Sequence, residues 1–422
     1  MSSDTDKILT EVERARDEIV DFAADLIRIP TVNPPGEGYR DASRFIGDRL
    51  TKLDFEVDYP TASDHPDHSK EFPRVNVVGR RQGADQRPLV HLNGHIDVVP
   101  AGAGWTVDPF AGLVRDGKLY GRGSCDMKAG IAAAVYAAEA VRRAGVSLAG
   151  SVELSGTVDE ESGGFAGAAF LCEQGRISPA KTDYVIIPEP LNVDRICIGH
   201  RGVYWFKVTA HGRIAHGSMP FLGESAIDRM SELLDAIRRE LIPELAARIT
   251  ATPVVPPGAR HATLNINSII GGQAGQMPQS PCVADRCEAI FDRRFLIEEG
   301  FEATKEEVKA LVSRLSSNGA RFELEDLMVV HPVETPRDSP VVGSIGNAIE
   351  AVLGRKAEQI ASPGTYDQKH FARIAGVEHC VAYGPGILEL AHQVDEYCAV
   401  DDLVNATKVL ALSIVDLVGT PS

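Results

Sequence analysis

Apolar and polar positions along the chain follow two kinds of pattern, which together predict an α/β protein. Residues 6–27 repeat apolar side chains such as Ile8 and Val12 at helical spacing and stop before Pro30, which predicts an amphipathic helix. A second helix is expected over 41–53. Short apolar runs bounded by turn residues predict buried strands, and these runs lie at 75–78, 89–92, 151–155 and 184–187.

The pattern changes after Gly202, where longer segments alternate between apolar and polar residues. The predicted strands are 203–210, 262–270, 282–294 and 321–330, and the predicted helices are 225–241 and 302–317. This βαββαβ order is typical of a split-βαβ, ferredoxin-like domain. Elements of the first kind resume afterwards. We therefore interpret residues 202–332 as a domain inserted into one larger domain, which is formed by 1–201 and 333–422.

Composition and charge exclude several classes of protein. The chain has 422 residues, of which 44% are hydrophobic and 24% charged, and its net charge of −17 argues against nucleic acid or an anionic membrane as a partner. The most apolar run, 129–141, is too short to span a bilayer. The 7 cysteines include no CxxC pair, which favours reduced thiols over a disulfide framework. We expect a cytoplasmic protein.

Polar side chains follow the buried strand predicted at 89–92. His95 and Asp97 come just beyond it, and alternation along an extended backbone directs both side chains to the same side. A carboxylate beside an imidazole orients the ring and raises its basicity as a metal ligand. Taken alone, the pair could equally be surface residues on a turn.

Three further segments place carboxylates near the ends of predicted elements. Asp126 stands where an alanine-rich helix begins, although a helix N-cap would also explain it. Glu160 and Glu161 belong to three consecutive acids after a strand, which repel one another unless they are solvated or bind a cation. Glu189 lies between two prolines after the strand at 184–187. Because ligand sites in α/β sheets form at the carboxyl ends of strands, we expect these residues to share a site.

Five motifs, in this order, closely resemble the M20 metallopeptidase family: GHIDVVP, YGRGSCDMKAG, GTVDEESGG, PEP and LAHQVDEY. This family includes acetylornithine deacetylase, succinyl-diaminopimelate desuccinylase, aminoacylase and carboxypeptidase G. The resemblance covers essentially the whole chain. It implies a mixed-sheet, metal-dependent exopeptidase-like catalytic domain and an inserted ferredoxin-like domain that serves as a lid or dimerisation domain.

The resemblance also implies a metal site with one or two divalent ions. Asp126 would bridge them, Glu160 would be the general acid/base, and Asp97 would hold the ring of His95. The implied ligands are His95, Asp126, Glu161, Glu189 and His392. Imidazole and carboxylate ligands without thiolate suit zinc, manganese or cobalt. The family's pattern further implies a cis peptide between Asp126 and Met127.

In the inserted domain, the resemblance implies that His216 stabilises the oxyanion, commonly in the partner subunit's site. Arg294 would grip a substrate carboxylate, and the backbone at Gly364 and Thr365 would line the substrate pocket. The alternative for Arg294 is an ion pair with Asp292 on a solvated face.

The chain departs from the family's pattern on the substrate side. Gln276 stands where many members have asparagine, and Glu224 begins a stretch that differs from theirs as well. These departures leave the substrate open, whereas the metal motifs are intact.

The expected activity is hydrolysis of a C–N bond in a small carboxylated substrate, first of all N-acyl-amino-acid deacylation with Glu160 as general acid/base. One alternative is an aminohydrolase that releases ammonia from an aromatic amino acid of the 5-nitroanthranilate type, and another is a dipeptidase or carboxypeptidase. An alternative of another class is a non-catalytic protein that binds small molecules. The resemblance also implies a homodimer or higher homo-oligomer formed through the inserted domain.

Overall fold

The computed structural model describes residues 2–275, 281–316 and 321–421. Its helices are α1 Ser2–Arg14, α2 Arg16–Ile27, α3 Tyr39–Lys52, α4 Lys128–Arg143, α5 Phe170–Glu173, α6 Ala226–Ala236, α7 Ile242–Ala246, α8 Phe301–Ser316, α9 Pro340–Leu353, α10 Gln368–Arg373 and α11 Val400–Val418. None of these helices has both the length and the apolar character needed to cross a membrane.

The strands are β1 Glu56–Asp58, β2 Val77–Arg81, β3 Leu89–His95, β4 Leu113–Arg115, β5 Lys118–Tyr120, β6 Ser151–Thr157, β7 Tyr184–Ile187, β8 Arg195–His200, β9 Gly202–His211, β10 Thr263–Gly272, β11 Arg286–Phe295, β12 Arg321–Val330, β13 Val333–Glu334, β14 Glu358–Ser362, β15 Cys380–Ala382 and β16 Tyr397–Ala399. They confirm the predicted α/β class.

The chain divides into two compact units. The first comprises Met1–Gly199, Thr335–Ile360 and Tyr366–Ser422, and the second comprises His200–Glu334 with Ala361–Thr365. Residues 361–365 were predicted to belong to the larger domain. The structure assigns this segment to the second unit, because Ala361 forms a parallel bridge with Val254 and the Arg201 guanidinium donates to the Pro363 carbonyl.

A mixed sheet forms the centre of the first unit. Its strand order runs β1-β2-β6-β3-β7-β15-β8, and β3 pairs in parallel with both β6 and β7. Every residue of β3 is buried. Leu92 of β3, Val135 of α4 and Leu410 of α11 belong to one apolar core. The residue that ends β3 is therefore held on a rigid central strand.

A close approach joins α4 to the end of β7. A Cβ on Gly130 would lie 2.0 Å from the Pro188 carbonyl oxygen, a distance that no side chain tolerates. Glycine at this position lets the first turn of α4 contact the segment that carries Glu189. Asp126 lies just before α4, so the same contact brings two of the predicted ligand segments together.

The second unit has the predicted ferredoxin-like topology. Its four strands are antiparallel in the order β10-β11-β9-β12, and α6 and α8 complete the βαββαβ sequence. Phe206 of β9, Met230 of α6 and Val308 of α8 share a second apolar core.

One local prediction was wrong. The helix predicted over 6–27 is two helices that meet at Ala15. Ala15 is itself buried, so the apolar spacing continues across the break and conceals it. The prediction that Asp126 stands where a helix begins is confirmed, because α4 starts two residues later, at Lys128.

Candidate metal centre

His95 ends β3 and is almost completely buried. Its Nδ1 lies 3.0 Å from the backbone oxygen of Asp97 and 3.6 Å from the carboxylate. The Asp97 carboxylate instead accepts the backbone N–H groups of Glu160 and Glu161, each at 3.1 Å. Asp97 therefore orients the ring mainly through its main chain and uses its side chain to hold the acidic turn.

Asp126 faces two imidazoles with its two oxygens. Oδ1 lies 2.9 Å from Nε2 of His95, and Oδ2 lies 3.4 Å from Nε2 of His392. The peptide between Asp126 and Met127 is cis, as the resemblance implies. One carboxylate thus lies between two histidines that are almost 300 residues apart in the sequence.

The loop that carries Asp126 is fixed by a residue that the sequence analysis missed. The buried Glu396 accepts, through Oε1, the backbone N–H groups of Gly123, Cys125 and Asp126 at 3.1, 2.8 and 3.2 Å. Its other oxygen forms a buried ion pair with Arg122. The available signal was its place in the LAHQVDEY motif, which also supplies the predicted ligand histidine.

Two groups of ligand atoms share Asp126. Within each group, all ligand atoms lie within 4.8 Å of one another, and the groups consist of His95, Asp126 and Glu189, and of Asp126, Glu161 and His392. In the first group Nε2 of His95 is 3.9 Å from Glu189 Oε1, and in the second Nε2 of His392 is 3.0 Å from Glu161 Oε1. The donor types and this clustering fit divalent metal ions.

Burial and neighbouring negative charge raise the pKa of two carboxylates of the site. Burial and the nearby Asp126 raise the pKa of Glu161 to about 7. The same two causes hold the pKa of Glu189 well above its usual value. These shifts show that the site concentrates negative charge in a poorly solvated space, as a cation site requires.

The two imidazoles compensate for this charge. Hydrogen bonds with Asp126 and Glu161 raise the pKa of His392 to about 10. Burial opposes the charging of His95, but its hydrogen bonds, first with Asp126, hold its pKa well above the usual value. Protons on these rings therefore occupy the place in the charge balance that a divalent cation would take.

Glu160 belongs to neither ligand group and lies in a tightly held turn. The preceding Asp159 has a left-handed backbone with φ of 62°, and its carboxylate accepts hydrogen bonds from Tyr39 at 2.7 Å and Arg74 at 2.9 Å. Glu160 Oε1 lies 3.5 Å from Nζ of Lys369. Neither Asp159 nor Lys369 was predicted as a site residue from the sequence.

The remaining predicted site residues lie in the second unit. His216 is exposed, and its Nδ1 accepts the Ser218 N–H at 3.1 Å. Arg294 donates from Nε and Nη2 to the two oxygens of Asp292 at 2.7 and 3.0 Å, which is the ion pair considered as the alternative.

The pocket loop and Gln276 complete these predictions. The N–H of Gly364 donates to the Ser362 hydroxyl at 3.2 Å, and Thr365 follows in the same loop. Gln276 lies outside the described residues. The roles predicted for these residues, like those of the metal ligands, stay predictions.

Comparison with known proteins gives consistent results. Residues 91–416 match the model of peptidase family M20/M25/M40. A succinyl-diaminopimelate desuccinylase of Methylobacterium radiotolerans is 30% identical over 404 residues, which cover 94% of this chain and 95% of that protein.

Solved structures share the fold at lower identity. Aminopeptidase PepT of Bacillus cereus superimposes with a TM-score of 0.76 at 20% identity, over 95% of this chain and 98% of that chain. The di-peptidase Dug1p of Saccharomyces cerevisiae gives a TM-score of 0.76 at 16% identity over 100% of both chains. The fold, the intact metal motifs and the family match all agree: the chain belongs to peptidase family M20/M25/M40 and is a metal-dependent hydrolase of amide bonds.

Proposed function

We propose that this hydrolase removes the acyl group from a small N-acyl amino acid that carries a free carboxylate. The observation that carries the proposal is the position of Asp126, whose two oxygens face His95 and His392 in two separate ligand groups. A carboxylate shared in this way would suit the binding of two divalent ions. The desuccinylase relative, similar over nearly its whole length, supports the acyl-amino-acid class.

We assign two divalent ions to the site. His95 and Glu189 would hold one ion, Glu161 and His392 the other, and Asp126 both. These donors suit zinc, manganese or cobalt. When bound, ions of this kind lower the pKa of a water molecule and polarise a carbonyl group.

Glu160 moves the proton in this proposal. Its carboxylate accepts a proton from the water that attacks the acyl carbon. It then delivers the proton to the amide nitrogen as the C–N bond breaks, so that an acid and a free amine leave. This carboxylate is kept beside the ligand Glu161 by the turn at Asp159 and by the hydrogen bond that the Glu160 N–H donates to the Asp97 carboxylate.

The second unit would supply the contacts to substrate. We propose that His216 stabilises the oxyanion, that Arg294 binds the substrate carboxylate in the orientation set by Asp292, and that Gly364 and Thr365 line the pocket. Gln276, predicted for the same pocket, remains part of this proposal from sequence alone.

We further propose a homodimer formed through the second unit. Its strand β10 is an edge strand, and Ile269 and Ile270 on it are 52% and 69% exposed. An edge strand with exposed isoleucines pairs readily with a second copy.

The seven cysteines are all free, which supports a location in the reducing cytoplasm.

A substrate panel tests the proposed activity. Metal-free enzyme would be reloaded with manganese or zinc and assayed on N-succinyl and N-acetyl amino acids, dipeptides and aminobenzoates, with Glu160→Gln as the inactive control. We expect the acyl amino acids to react fastest. Faster release of ammonia from aminobenzoates, or faster cleavage of dipeptides, would replace the proposal with one of those activities. Specific binding without turnover by any loaded form would indicate a binding protein.

A further inference from the structure

The segment Asp367–His370 contacts the turn that bears Glu160 at two points. Nζ of Lys369 lies 3.5 Å from Oε1 of Glu160. One residue further, Nε2 of His370 lies 2.7 Å from the carbonyl oxygen of Gly163. The lysine and glutamate side chains are only 8% and 12% exposed, so this ion pair is largely shielded from solvent.

The same segment is anchored to the strand that ends in His95. The buried Asp367 accepts a hydrogen bond from Nδ2 of Asn93 at 3.0 Å. Asn93 lies on β3, and its Oδ1 accepts the hydroxyl of Ser155 on β6 at 2.7 Å. The contacts therefore run from the central sheet through Asp367 to Lys369 and from there to Glu160.

We propose that Lys369 is a positioning residue, which holds the carboxylate of Glu160 at a fixed position relative to His95 at the end of β3. This inference rests on the proposed role of Glu160. A charged partner at this distance favours one carboxylate rotamer, and burial of the pair strengthens the preference because solvent screens it little. The anchor at Asn93 means that one strand sets the positions of both His95 and the lysine.

Single substitutions give the first test. We expect Lys369→Met to lower kcat about 10- to 100-fold, the scale of a charged hydrogen bond, while KM and bound metal stay within about twofold of wild type. Lys369→Arg, which keeps the charge, should recover most of kcat. The control is Lys181→Met, which removes an exposed lysine in the same unit that donates a hydrogen bond to the Gly175 carbonyl. This substitution should leave kcat unchanged.

A double-mutant cycle with Glu160→Gln separates positioning from general structural support. If Lys369 acts through Glu160, Lys369→Met should cost little further activity once Glu160 is replaced. Losses that multiply in the double variant would overturn the inference. So would a higher KM with unchanged kcat, which would make Lys369 a substrate ligand, or a loss of metal.

The cycle also distinguishes this inference from the proposed function. If Glu160→Gln alone had near-normal activity, the role of Glu160 would fail, and the inference would fail with it. If Glu160→Gln were inactive and the losses multiplied, only the inference about Lys369 would fail.

Discussion

Glu396→Gln should destabilise the first unit and weaken metal binding, although Glu396 is not itself a ligand. Both members of its ion pair with Arg122 are buried, with side chains 0% and 2% exposed. Glutamine keeps the size of the side chain and an oxygen for the three backbone donors, but it removes the charge beside Arg122. Leaving a buried charge without its partner costs about 3–5 kcal/mol. We therefore expect a loss of that size in the free energy of unfolding.

The same substitution should loosen the loop that carries Asp126. Residues that orient a metal ligand typically contribute about 10- to 100-fold to metal affinity, and we expect a loss in this range for Glu396→Gln. Glu389→Gln, at an exposed glutamate in the same region, is the matched control and should change neither quantity.

Urea unfolding of the metal-free protein would measure the stability change. In a Trp205→Phe background the remaining tryptophan is Trp105. Its ring centroid lies 5.3 Å from Cζ of Arg122, so its fluorescence reports on unfolding of the first unit. Metal titration of the same proteins gives the affinities. A destabilisation below about 1 kcal/mol, the range of an exposed ion pair, with unchanged metal affinity would show that Glu396 holds neither Arg122 nor the Asp126 loop in place.

Three further predictions concern the metals and the second unit. Metal affinity should rise with pH, by about tenfold per pH unit for each proton displaced, because His95 and His392 hold protons in the metal-free site. Titration calorimetry from about pH 6 to 8 would measure this, and a metal affinity that did not change with pH would contradict it. His216→Ala should lower kcat about 10²- to 10³-fold without loss of metal, and mixing it with Glu160→Gln should restore activity if subunits share sites. Verified heterodimers that showed no recovery would confine His216 to its own subunit. Arg294→Lys should cost about 1.5–3 kcal/mol in kcat/KM for a carboxylated substrate and little for its amide, whereas equal losses would give Arg294 a structural role.

Periodicity predicted the fold because the two kinds of strand leave different patterns. The buried run at β3 and the alternation of β9 and β11 both follow from which faces meet a core. The break at Ala15 left no trace, because a buried alanine continues the apolar face of a helix. The segment 361–365 was assigned to the wrong domain because the hydrogen bonds from Arg201 to the Pro363 carbonyl join residues that are far apart in the sequence.

Four ligand candidates, His95, Asp126, Glu161 and Glu189, were recognisable because polar groups stand near the ends of predicted elements, whereas His392 was implied by the family resemblance alone. The supporting residues were not recognisable, for a physical reason. Glu396 acts on backbone N–H groups, and Lys369 acts across about 200 residues of chain, so neither produces a local pattern. Asp97 was recognised, but the sequence could not show that its main chain orients His95 while its carboxylate holds the acidic turn.

The proposed mechanism requires Glu161 to bind metal while its neighbour Glu160 moves the proton. Metal content after dialysis would be measured in parallel for wild type, Glu160→Gln and Glu161→Gln. We expect Glu160→Gln to keep the metal content of wild type although its kcat falls about 10²- to 10⁴-fold, and Glu161→Gln to lose one ion. Loss of metal from Glu160→Gln together with full metal in Glu161→Gln would reverse the two roles.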